Sequence, residues 1–263
     1  MDKLDSLELI FEGFNAVKAA ICGIESGITS RTVIRVFFSK KRLAKKGYEY
    51  SWLKTRSVRH GYEIVLCDED DVSSLCATET HGGIVGIFSP RVPGNAEALC
   101  DFAKRNNRGW FLALEGIEDP YNLGFSIRSA YAFGCAGVVL PERYIFGADG
   151  VVCRSSAGAS ERIPFFRCDL SDAVRRLKSE GYVICAACEK NAVSLSDHPL
   201  SLPLVLVIGG EKRGISSALL AECTDYIRID YARFAGSSLS AVSAAAVMAY
   251  EIAEKNGLLI KND

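Results

Sequence analysis

The feature of this sequence that most constrains its fold is a strand–turn–helix–strand pattern in residues 110–140. An apolar run of strand length, Trp110 to Leu114, leads into an acidic turn that ends at Pro120. Proline disfavours helical backbone in the residue before it, so we expect a helix only after this turn, with Asn122 as its cap. Apolar residues then recur at helical spacing until Gly134, which ends the helix before a second apolar run. The pattern predicts one strand–helix–strand unit of an α/β fold.

Arg128 lies within the predicted helix of this unit. At about 100° per residue, its side chain falls at the edge of the apolar stripe, beside the buried face. A long cation held at that edge, in the same unit as Asn122, is suited to bind an anion. This unit alone does not identify the anion.

Two regions of alternating strands and helices are predicted on either side of a segment that contains Pro and Gly. Residues 1–88, which begin with a helix at 7–22, form a small α/β domain, and residues 89–107 form a linker. Residues 108–263 form a larger α/β domain that includes a polar Gly/Ser stretch at 147–160. Strands that alternate with helices imply a parallel sheet, and the ligands of such sheets bind beyond the carboxyl ends of the strands.

The net charge of −1 hides an uneven distribution. Residues 31–59 contain ten lysines and arginines and one acid, so this segment carries +9 and the rest of the chain −10. Tyr48 and Trp52 are among the aromatic residues interleaved with these cations. Basic side chains bind a phosphate backbone and aromatic rings stack on unpaired bases, which favours nucleic-acid binding over a merely solvated helix face. The candidate RNA-binding residues are Arg35, Lys40, Lys41, Arg42, Lys45 and Lys46.

The ten cysteines are predicted to be reduced thiols. The N-terminus lacks the basic-then-apolar pattern of a secretory signal, and no apolar run reaches the roughly 18 residues that span a bilayer. We therefore expect a cytoplasmic protein, and disulfides are rare in that compartment. Cys185 and Cys188 form a single C-x-x-C pair, and the three histidines show no metal-ligand spacing, so no metal site is predicted.

Three loops that follow predicted strands of the larger domain contain polar residues and glycines. They are 119–124, Gly209–Gly214, and a third that runs from Ile227 to Asp230 and continues through 236–240. The second loop lacks the lysine of a phosphate-binding P-loop and fails the G-x-G-x-x-G pattern, which argues against a Rossmann-like nucleotide enzyme. Its glycines still allow the backbone to approach a ligand closely. Glu211 is then either a ligand contact or an acceptor that orders the loop.

Together these loops resemble the SpoU (TrmH-like) family of S-adenosylmethionine-dependent RNA ribose 2′-O-methyltransferases, within the knotted SPOUT superfamily. The family's first motif, D-P-x-N-x-G-x-x-x-R-x-A-x-x-F-G, is matched at Asp119, Pro120, Asn122, Gly124, Arg128, Ala130, Phe133 and Gly134. Its second motif, G-N-E-x-x-G, is matched at Gly209, Glu211 and Gly214. Its third motif is matched at Ile229, Ser238, Leu239 and Ser243. Weaker similarities link Arg154–Gly158 to the family's S-A-G-A segment and Thr80–Val85 to the end of its ribosomal-protein-L30-like RNA-binding domain.

Three positions depart from the family motifs. Gly210 replaces the usual Asn, Asp230 the usual Pro, and Ser240 the usual Asn. The family holds its cofactor largely through backbone groups, so the first two changes are expected to be tolerated. Ser240 shortens a side chain near the reacting centre. The alternative function is therefore that of an RNA-binding protein of the same fold whose activity is weakened or lost.

The resemblance implies a SPOUT methyltransferase domain with a deep trefoil knot, preceded by an L30-like RNA-binding domain. It also implies a homodimer formed through the C-terminal domain and methyl transfer from S-adenosylmethionine to a ribose 2′-hydroxyl of rRNA or tRNA, with rRNA favoured. The cofactor-binding residues that it implies are Ala187, Gly209, Gly210, Glu211, Gly214, Ile229, Ser238, Leu239 and Ser240. The catalytic residues that it implies are Arg128, Asn122, Glu211 and Ser238.

Each of these residues also has an ordinary structural role open to it. Asn122 and Ser238 could serve only as helix caps, and Glu211 could serve only its own loop. For Arg128 we expect a clamp on an RNA phosphate that orients the 2′-hydroxyl, because a guanidinium keeps its proton and is a poor base. The hydroxyl proton would then leave to a neighbouring phosphate or to water.

Overall fold

The computed structural model describes residues 8–105, 109–143, 147–233 and 238–260. Gly236 and Ser237 of the third predicted loop lie outside the described residues. The described strands are β1 (Leu9–Glu12), β2 (Val33–Ser39), β3 (Glu63–Cys67), β4 (Ile84–Phe88), β5 (Trp110–Glu115), β6 (Cys135–Pro141), β7 (Phe165–Cys168), β8 (Val183–Ala187), β9 (Val193–Ser194), β10 (Leu204–Gly209) and β11 (Asp225–Arg228). The described α-helices are α1 (Phe14–Glu25), α2 (Gly47–His60), α3 (Glu69–Ser74), α4 (Ala96–Arg105), α5 (Pro120–Ala132), α6 (Asp149–Ser155), α7 (Leu170–Ser179), α8 (Ser217–Glu222) and α9 (Ala241–Lys255). Within these ranges, none of the helices has the length and hydropathy to cross a bilayer.

The chain forms two compact units. The first consists of Met1–Val92 and Ile145–Arg162, and the second of Pro93–Tyr144 and Ile163–Asp263. This division differs from the predicted one, because a segment that was assigned to the larger domain belongs to the first unit. The chain therefore contributes two separate stretches to each unit.

The first unit contains a four-stranded sheet in the order β1-β4-β2-β3. Strand β1 pairs antiparallel with β4 and buries Leu9 and Phe11. The helix predicted at 7–22 is therefore wrong at its start, because a strand precedes it and α1 begins only after Gly13. Pairing with β4 overrides the helical spacing of these few apolar residues, since a strand's stability depends on its neighbours more than on local preference.

Helix α6 packs against β1 and α1 within the first unit. Its Gly150 lies so close to β1 that an added Cβ atom would be 1.9 Å from the carbonyl oxygen of Ile10. No helix was predicted in the polar Gly/Ser stretch at 147–160, but α6 and a 3-10 helix at Ala159–Glu161 occupy most of it. The two helices are too short for an apolar period to reveal them.

A buried cluster of charges connects α6 and the 3-10 helix to the rest of the first unit. Arg31 donates from Nε to Glu161 at 3.0 Å and also pairs with Asp149. Arg91 pairs with Glu161 and donates to the carbonyl oxygen of Ser160 at 3.0 Å. Burial alone would raise the pKa of Glu161, but the charges of Arg91 and Arg31 outweigh it and hold that pKa below its ordinary value. Because all the partners are buried, removal of one would leave the others without compensation.

The second unit contains a seven-stranded sheet in the order β7-β6-β5-β10-β8-β11-β9, and all neighbouring strands are parallel. The predicted α/β fold with a parallel sheet is therefore confirmed. Phe111, Leu112 and Ala113 of β5 are all buried, so both faces of this central strand are covered. Helices α4, α7 and α8 pack on one face, and α5 packs alongside α9. The carboxyl ends of β5, β10, β8 and β11 consequently gather at one edge of the sheet.

Candidate active site

A cavity of about 570 Å³ lies at the carboxyl ends of β8, β10 and β11, next to the start of α9. Its volume is in the usual range for small-molecule sites. The structure places all nine predicted cofactor residues on its wall: Ala187, Gly209, Gly210, Glu211, Gly214, Ile229, Ser238, Leu239 and Ser240. Cys188, Glu189 and Tyr231 also line it, although they were not among the predicted cofactor residues. Their position just after a strand is the signal that could have found them.

The glycine loop after β10 is packed backbone against backbone. A Cβ atom on Gly209 would lie 2.2 Å from the carbonyl carbon of Gly214, and one on Gly210 would lie 2.3 Å from the carbonyl oxygen of Gly116. Neither approach is sterically possible without movement of the backbone. The N–H of Gly210 also donates to the carbonyl oxygen of Glu115 at 2.7 Å. Glycine at position 210, where the family motif has Asn, is therefore a steric requirement of this chain.

A second cavity, of about 610 Å³, adjoins the first. Gly210, Glu211 and Gly214 line both, so the glycine loop forms a wall that the two cavities share. Asn122 and Glu211, two of the residues predicted to be catalytic, line this second cavity, whereas Ser238 lines the first. The other charged residues of the second cavity are Glu115, Glu118, Asp119, Arg143, Lys212 and Arg213.

The start of α5 positions Asn122 at the second cavity. The helix begins at Pro120, and the side chain of Asp119 accepts the N–H of Asn122 at 2.8 Å. The prediction that Asn122 caps the helix is therefore wrong. Asp119 is the cap, and proline takes the first helical position, where its missing N–H costs nothing. The side chain of Asn122 is consequently not required for capping.

A carboxylate does order the glycine loop, and it belongs to Glu115 rather than Glu211. Glu115 is the last residue of β5 and accepts the N–H of Ser216 at 2.7 Å. Ser216 in turn caps α8 by accepting the N–H of Leu219 at 3.3 Å. Glu211 is exposed at the wall between the two cavities. Glu115 was not among the predicted site residues, although its place at the end of an apolar run was visible in the sequence.

The third loop and the start of α9 form another part of the first cavity. Ser240 caps α9 by accepting the N–H of Ser243 at 3.2 Å, so the capping role considered for Ser238 belongs to Ser240. The backbone N–H of Leu239 donates to the hydroxyl oxygen of Tyr231 at 3.2 Å. This hydrogen bond connects two stretches of the cavity wall that are eight residues apart.

Asp230, where the family motif has Pro, belongs to the same loop. Its carboxylate accepts a hydrogen bond from Nε of Arg228 at 2.9 Å. Hydrogen bonds from Ser194 and Arg228 hold the pKa of Asp230 below its ordinary value. The departure from the motif therefore gives this loop a local ion pair that proline could not make.

Comparison with known proteins identifies the family. Residues 109–250 match the model of the SpoU rRNA Methylase family. The chain belongs to this family. A Staphylococcus haemolyticus protein assigned to the TrmH family of tRNA/rRNA methyltransferases is 32% identical to it over 181 residues. That similarity covers 68% of this chain and 72% of the relative.

Solved structures of SpoU-type proteins share the fold. The SpoU methyltransferase AviRb from Streptomyces viridochromogenes, in complex with the cofactor AdoMet, superposes with a TM-score of 0.76 at 23% identity and covers 95% of this chain and 90% of its own. An RNA 2′-O ribose methyltransferase superposes with a TM-score of 0.72 at 18% identity and covers 96% and 90%. The expectation of a SPOUT-type α/β fold is therefore confirmed.

Arg128 differs from the other residues that the SpoU motifs suggest for catalysis. It is exposed on α5 and is not part of the lining of either cavity described above. Phe125 and Tyr131, about one turn before and after it, are exposed as well. So are Val247 and Tyr250 of α9, the helix that packs against α5. Arg128 thus lies among exposed apolar side chains, a surface that we call the α5–α9 face.

The basic segment of the first unit is largely paired with acids. Four of the six predicted RNA-binding residues contact a carboxylate: Arg35 with Glu63 at 3.4 Å, Lys40 with Asp68 at 3.8 Å, Lys46 with Glu49 at 4.0 Å, and Arg42 with Glu69. A side-chain hydrogen bond from Arg42 lowers the pKa of Glu69. Lys41 and Lys45 are exposed and form no ion pair with a described residue. The charge available to RNA is therefore smaller than the sequence suggests.

One cluster of metal-ligating residue types was not foreseen. Cys185, His198 and Asp225 bring ligand atoms within 4.8 Å of one another. His198 accepts the N–H of Leu200 at Nδ1, at 3.0 Å, so the ring proton lies on Nε2, which is 3.2 Å from Asp225. A metal would need the lone pair at Nε2, and burial raises the pKa of Cys185 to about 12. The cluster is therefore a hydrogen-bonded His–Asp pair beside a buried thiol. All ten cysteines of the chain are free thiols, as predicted.

Proposed function

We propose that this SpoU family protein transfers the methyl group of S-adenosylmethionine to a ribose 2′-hydroxyl of rRNA or tRNA, with rRNA favoured. The observation that carries the proposal is the pair of cavities that share the glycine loop as a wall. A methyl donor in the first cavity and a nucleotide in the second would meet at Gly210 and Glu211. Holding two reactants in contact in this way removes several kcal/mol of the entropic barrier.

The first cavity fits S-adenosylmethionine in its chemistry. Its floor presents glycine backbone, and the carboxylates of Glu189 and Glu211 complement a ligand that carries sulfonium and ammonium charges. The AviRb structure, which has the same fold, contains this cofactor. When bound, S-adenosylmethionine supplies an electrophilic methyl group on a positively charged sulfur. The groups that would hold it are the backbones of Gly209, Gly210, Ile229 and Leu239, with the hydroxyl of Ser238.

The second cavity fits a nucleotide. Strand β5 lies between β6 and β10, so Arg143, just after β6, and Lys212 and Arg213, just after β10, follow the two strands that flank β5. These cations suit the phosphates of a polynucleotide. Asn122 and Glu211 offer an amide and a carboxylate to ribose hydroxyls, and positioning the 2′-hydroxyl is the role that we assign to them.

Arg128 completes the site in a homodimer formed through the C-terminal domain. The apolar residues of the α5–α9 face resemble the centre of a protein–protein interface, which is rich in aromatic side chains. Burial of this face by a second copy would carry Arg128 from the surface of one chain toward the cavities of the other. There its guanidinium would clamp an RNA phosphate with a bidentate contact, and the hydroxyl proton would leave to a phosphate or to water.

The first unit is the RNA-binding domain in this proposal. Its support is the basic segment and the resemblance of Thr80–Val85 to the end of an L30-like domain. The trefoil knot and a cytoplasmic location belong to the same proposal and follow from the family resemblance.

Methyl transfer to RNA tests the proposal directly. The full chain is incubated with radiolabelled S-adenosylmethionine and rRNA or tRNA from cells that lack the protein, and the RNA is then hydrolysed in alkali. A 2′-O-methyl group blocks cleavage of the adjacent phosphodiester, so label is expected in alkali-stable dinucleotides. Label recovered in mononucleotides would show methylation of a base and would refute the ribose assignment.

A conservative variant tests the role of Arg128. Arg128→Lys keeps the charge but loses the bidentate fork, so transfer is expected to fall by at least about tenfold while cofactor affinity is unchanged. The matched control is Arg175→Lys, an exposed arginine on α7. Near-normal turnover of Arg128→Lys would contradict the clamp.

Ser240 favours one alternative, an RNA-binding protein of the same fold with weakened or absent transfer. In the structure this side chain caps α9, where the family motif has Asn. Calorimetry with S-adenosylmethionine combined with the labelling assay separates the two functions. Cofactor and RNA binding without label in the RNA would establish the alternative.

A further inference from the structure

The first unit carries a ladder of aromatic rings and cations along α1 and α2. Phe14 and Lys18 are four residues apart on α1, and Tyr48, Trp52 and Arg56 are spaced by four on α2. This spacing places the residues of each helix on one face. We call these five residues the aromatic ladder.

The contacts within the aromatic ladder are continuous. The ring of Phe14 meets Tyr48 edge-on with centroids 6.4 Å apart, and it meets Trp52 edge-on at 5.6 Å. The ammonium of Lys18 lies 5.8 Å from both the Phe14 and the Trp52 centroids. The guanidinium of Arg56 covers the Trp52 ring at 3.6 Å. The rings of Phe14 and Trp52 are thus partly covered by other members of the ladder.

The two ends of the aromatic ladder differ. At one end Arg56 is fixed by Glu25, whose carboxylate lies 3.3 Å from its Nε. At the other end Tyr48 is 67% exposed, and its edge contact with Phe14 supports the ring and leaves it accessible. Lys45, three residues earlier in the turn before α2, is exposed and forms no ion pair with a described residue. The ladder therefore ends in a supported, accessible ring that follows an unpaired cation closely in the chain.

We propose that the exposed ring of Tyr48 stacks on an unpaired base of the RNA substrate, while Lys45 and Lys18 attract the adjoining phosphates. The inference rests on the proposed function, since it says how the first unit would hold RNA. A base offers a π-face to any aromatic ring, and stacking on one is worth about 1–3 kcal/mol. Lys41 and Lys45, the two candidate cations that form no ion pair with a described residue, favour a polyanion over a basic protein partner.

The structure also explains why the other aromatic residues of the basic segment do not serve in this way. Phe38 is fully buried in the core of the first unit, and Tyr50 packs edge-on against it at 5.3 Å. Tyr48 is thus the ring in this segment whose surface is most available to a ligand. Tyr48 belongs to the first unit and the cofactor cavity to the second, so RNA binding and cofactor binding can be measured separately.

Three substitutions of Tyr48 separate stacking from simple apolar contact. The probe is a fluorescein-labelled oligoadenylate of about 12 nucleotides, compared with an RNA duplex of similar length, both titrated with the full chain. Tyr48→Phe keeps a ring and is expected to bind the oligoadenylate within about twofold of the unmodified protein. Tyr48→Leu and Tyr48→Ala are expected to bind it about 5- to 150-fold more weakly, with a smaller loss for the duplex.

The control is Val58→Ala, which alters a side chain that is 84% exposed on the same helix and is expected to leave both affinities unchanged. Oligoadenylate binding that is equal in Tyr48→Leu and the unmodified protein would overturn the proposal, because it would show that no aromatic ring is needed at this position. Failure of the unmodified protein to bind the oligoadenylate would also overturn it. Methyl transfer and calorimetry with S-adenosylmethionine report on the second unit. The stacking proposal can therefore be refuted while the proposed function stands, and the proposed function can be refuted while stacking stands.

Discussion

Substitution of Gly210 tests whether the wall between the two cavities is as tightly packed as the structure shows. The backbone at this residue is not in the left-handed region, so the cost of a side chain is steric. An alanine Cβ would lie 2.3 Å from the carbonyl oxygen of Gly116, which is backbone and cannot rotate away. Overpacking of this kind costs about 1–3 kcal/mol. Loss of the 2.7 Å hydrogen bond from Gly210 to Glu115 would add about 1 kcal/mol.

The expected result for Gly210→Ala is a lower unfolding temperature together with weaker cofactor binding. A loss of about 2–4 kcal/mol corresponds to a fall in Tm of about 4–16 °C for a chain of this size. The displaced loop lines the cofactor cavity, so the Kd for S-adenosylmethionine should rise by at least about tenfold. Gly210→Asn restores the residue of the family motif and is nevertheless expected to behave in the same way, because it adds the same Cβ atom.

Gly47→Ala is the matched control, because a Cβ there would meet nothing within 4 Å and the residue is the first of α2. Its Tm should be unchanged or slightly higher, since glycine costs about 0.5–1 kcal/mol relative to alanine within a helix. Differential scanning calorimetry and isothermal titration supply the two measurements. If Gly210→Ala melts and binds S-adenosylmethionine like the unmodified protein, the contact with Gly116 is not what shapes the wall.

Two further predictions concern buried charge and helix capping. Glu161→Gln should destabilise the first unit by about 3–5 kcal/mol at neutral pH, because two buried guanidinium groups lose their partner. The pKa of Glu161 is lower in the folded protein than in the unfolded chain, where it is near 4.3, so this carboxylate stabilises the fold above that pH. The Tm of the unmodified protein should therefore fall as the pH drops below about 4. The variant should lack this part of the fall when calorimetry is repeated over a series of pH values. Ser240→Ala should cost about 1 kcal/mol by removing the cap of α9, whereas Ser240→Asn should retain the cap, a difference measurable by urea unfolding. Equal stability of the two Ser240 variants would show that the cap contributes nothing.

The elements that the sequence predicts well are those with a clear local signal. Strand β5 and helix α5 lie where the pattern in residues 110–140 predicts them, because apolar spacing and flanking turn residues define them. The prediction fails where tertiary pairing decides. A strand replaces the start of the helix at 7–22, and two short helices lie in the polar stretch at 147–160, where none was predicted. The sequence also suggested Asn122 as a cap, and the carboxylate one residue before Pro120 takes that role instead.

The sequence by itself determined the family, the residue types of three loops and their places after strands. Only the tertiary structure decided that these loops meet, because the strand order β6-β5-β10-β8-β11 is a global property with no local pattern. It alone showed that position 210 must be glycine, that Arg128 is exposed, and that most of the basic segment faces acids. Such facts depend on contacts between residues that are distant in the chain. Composition and local periodicity contain no information about the distances between those residues.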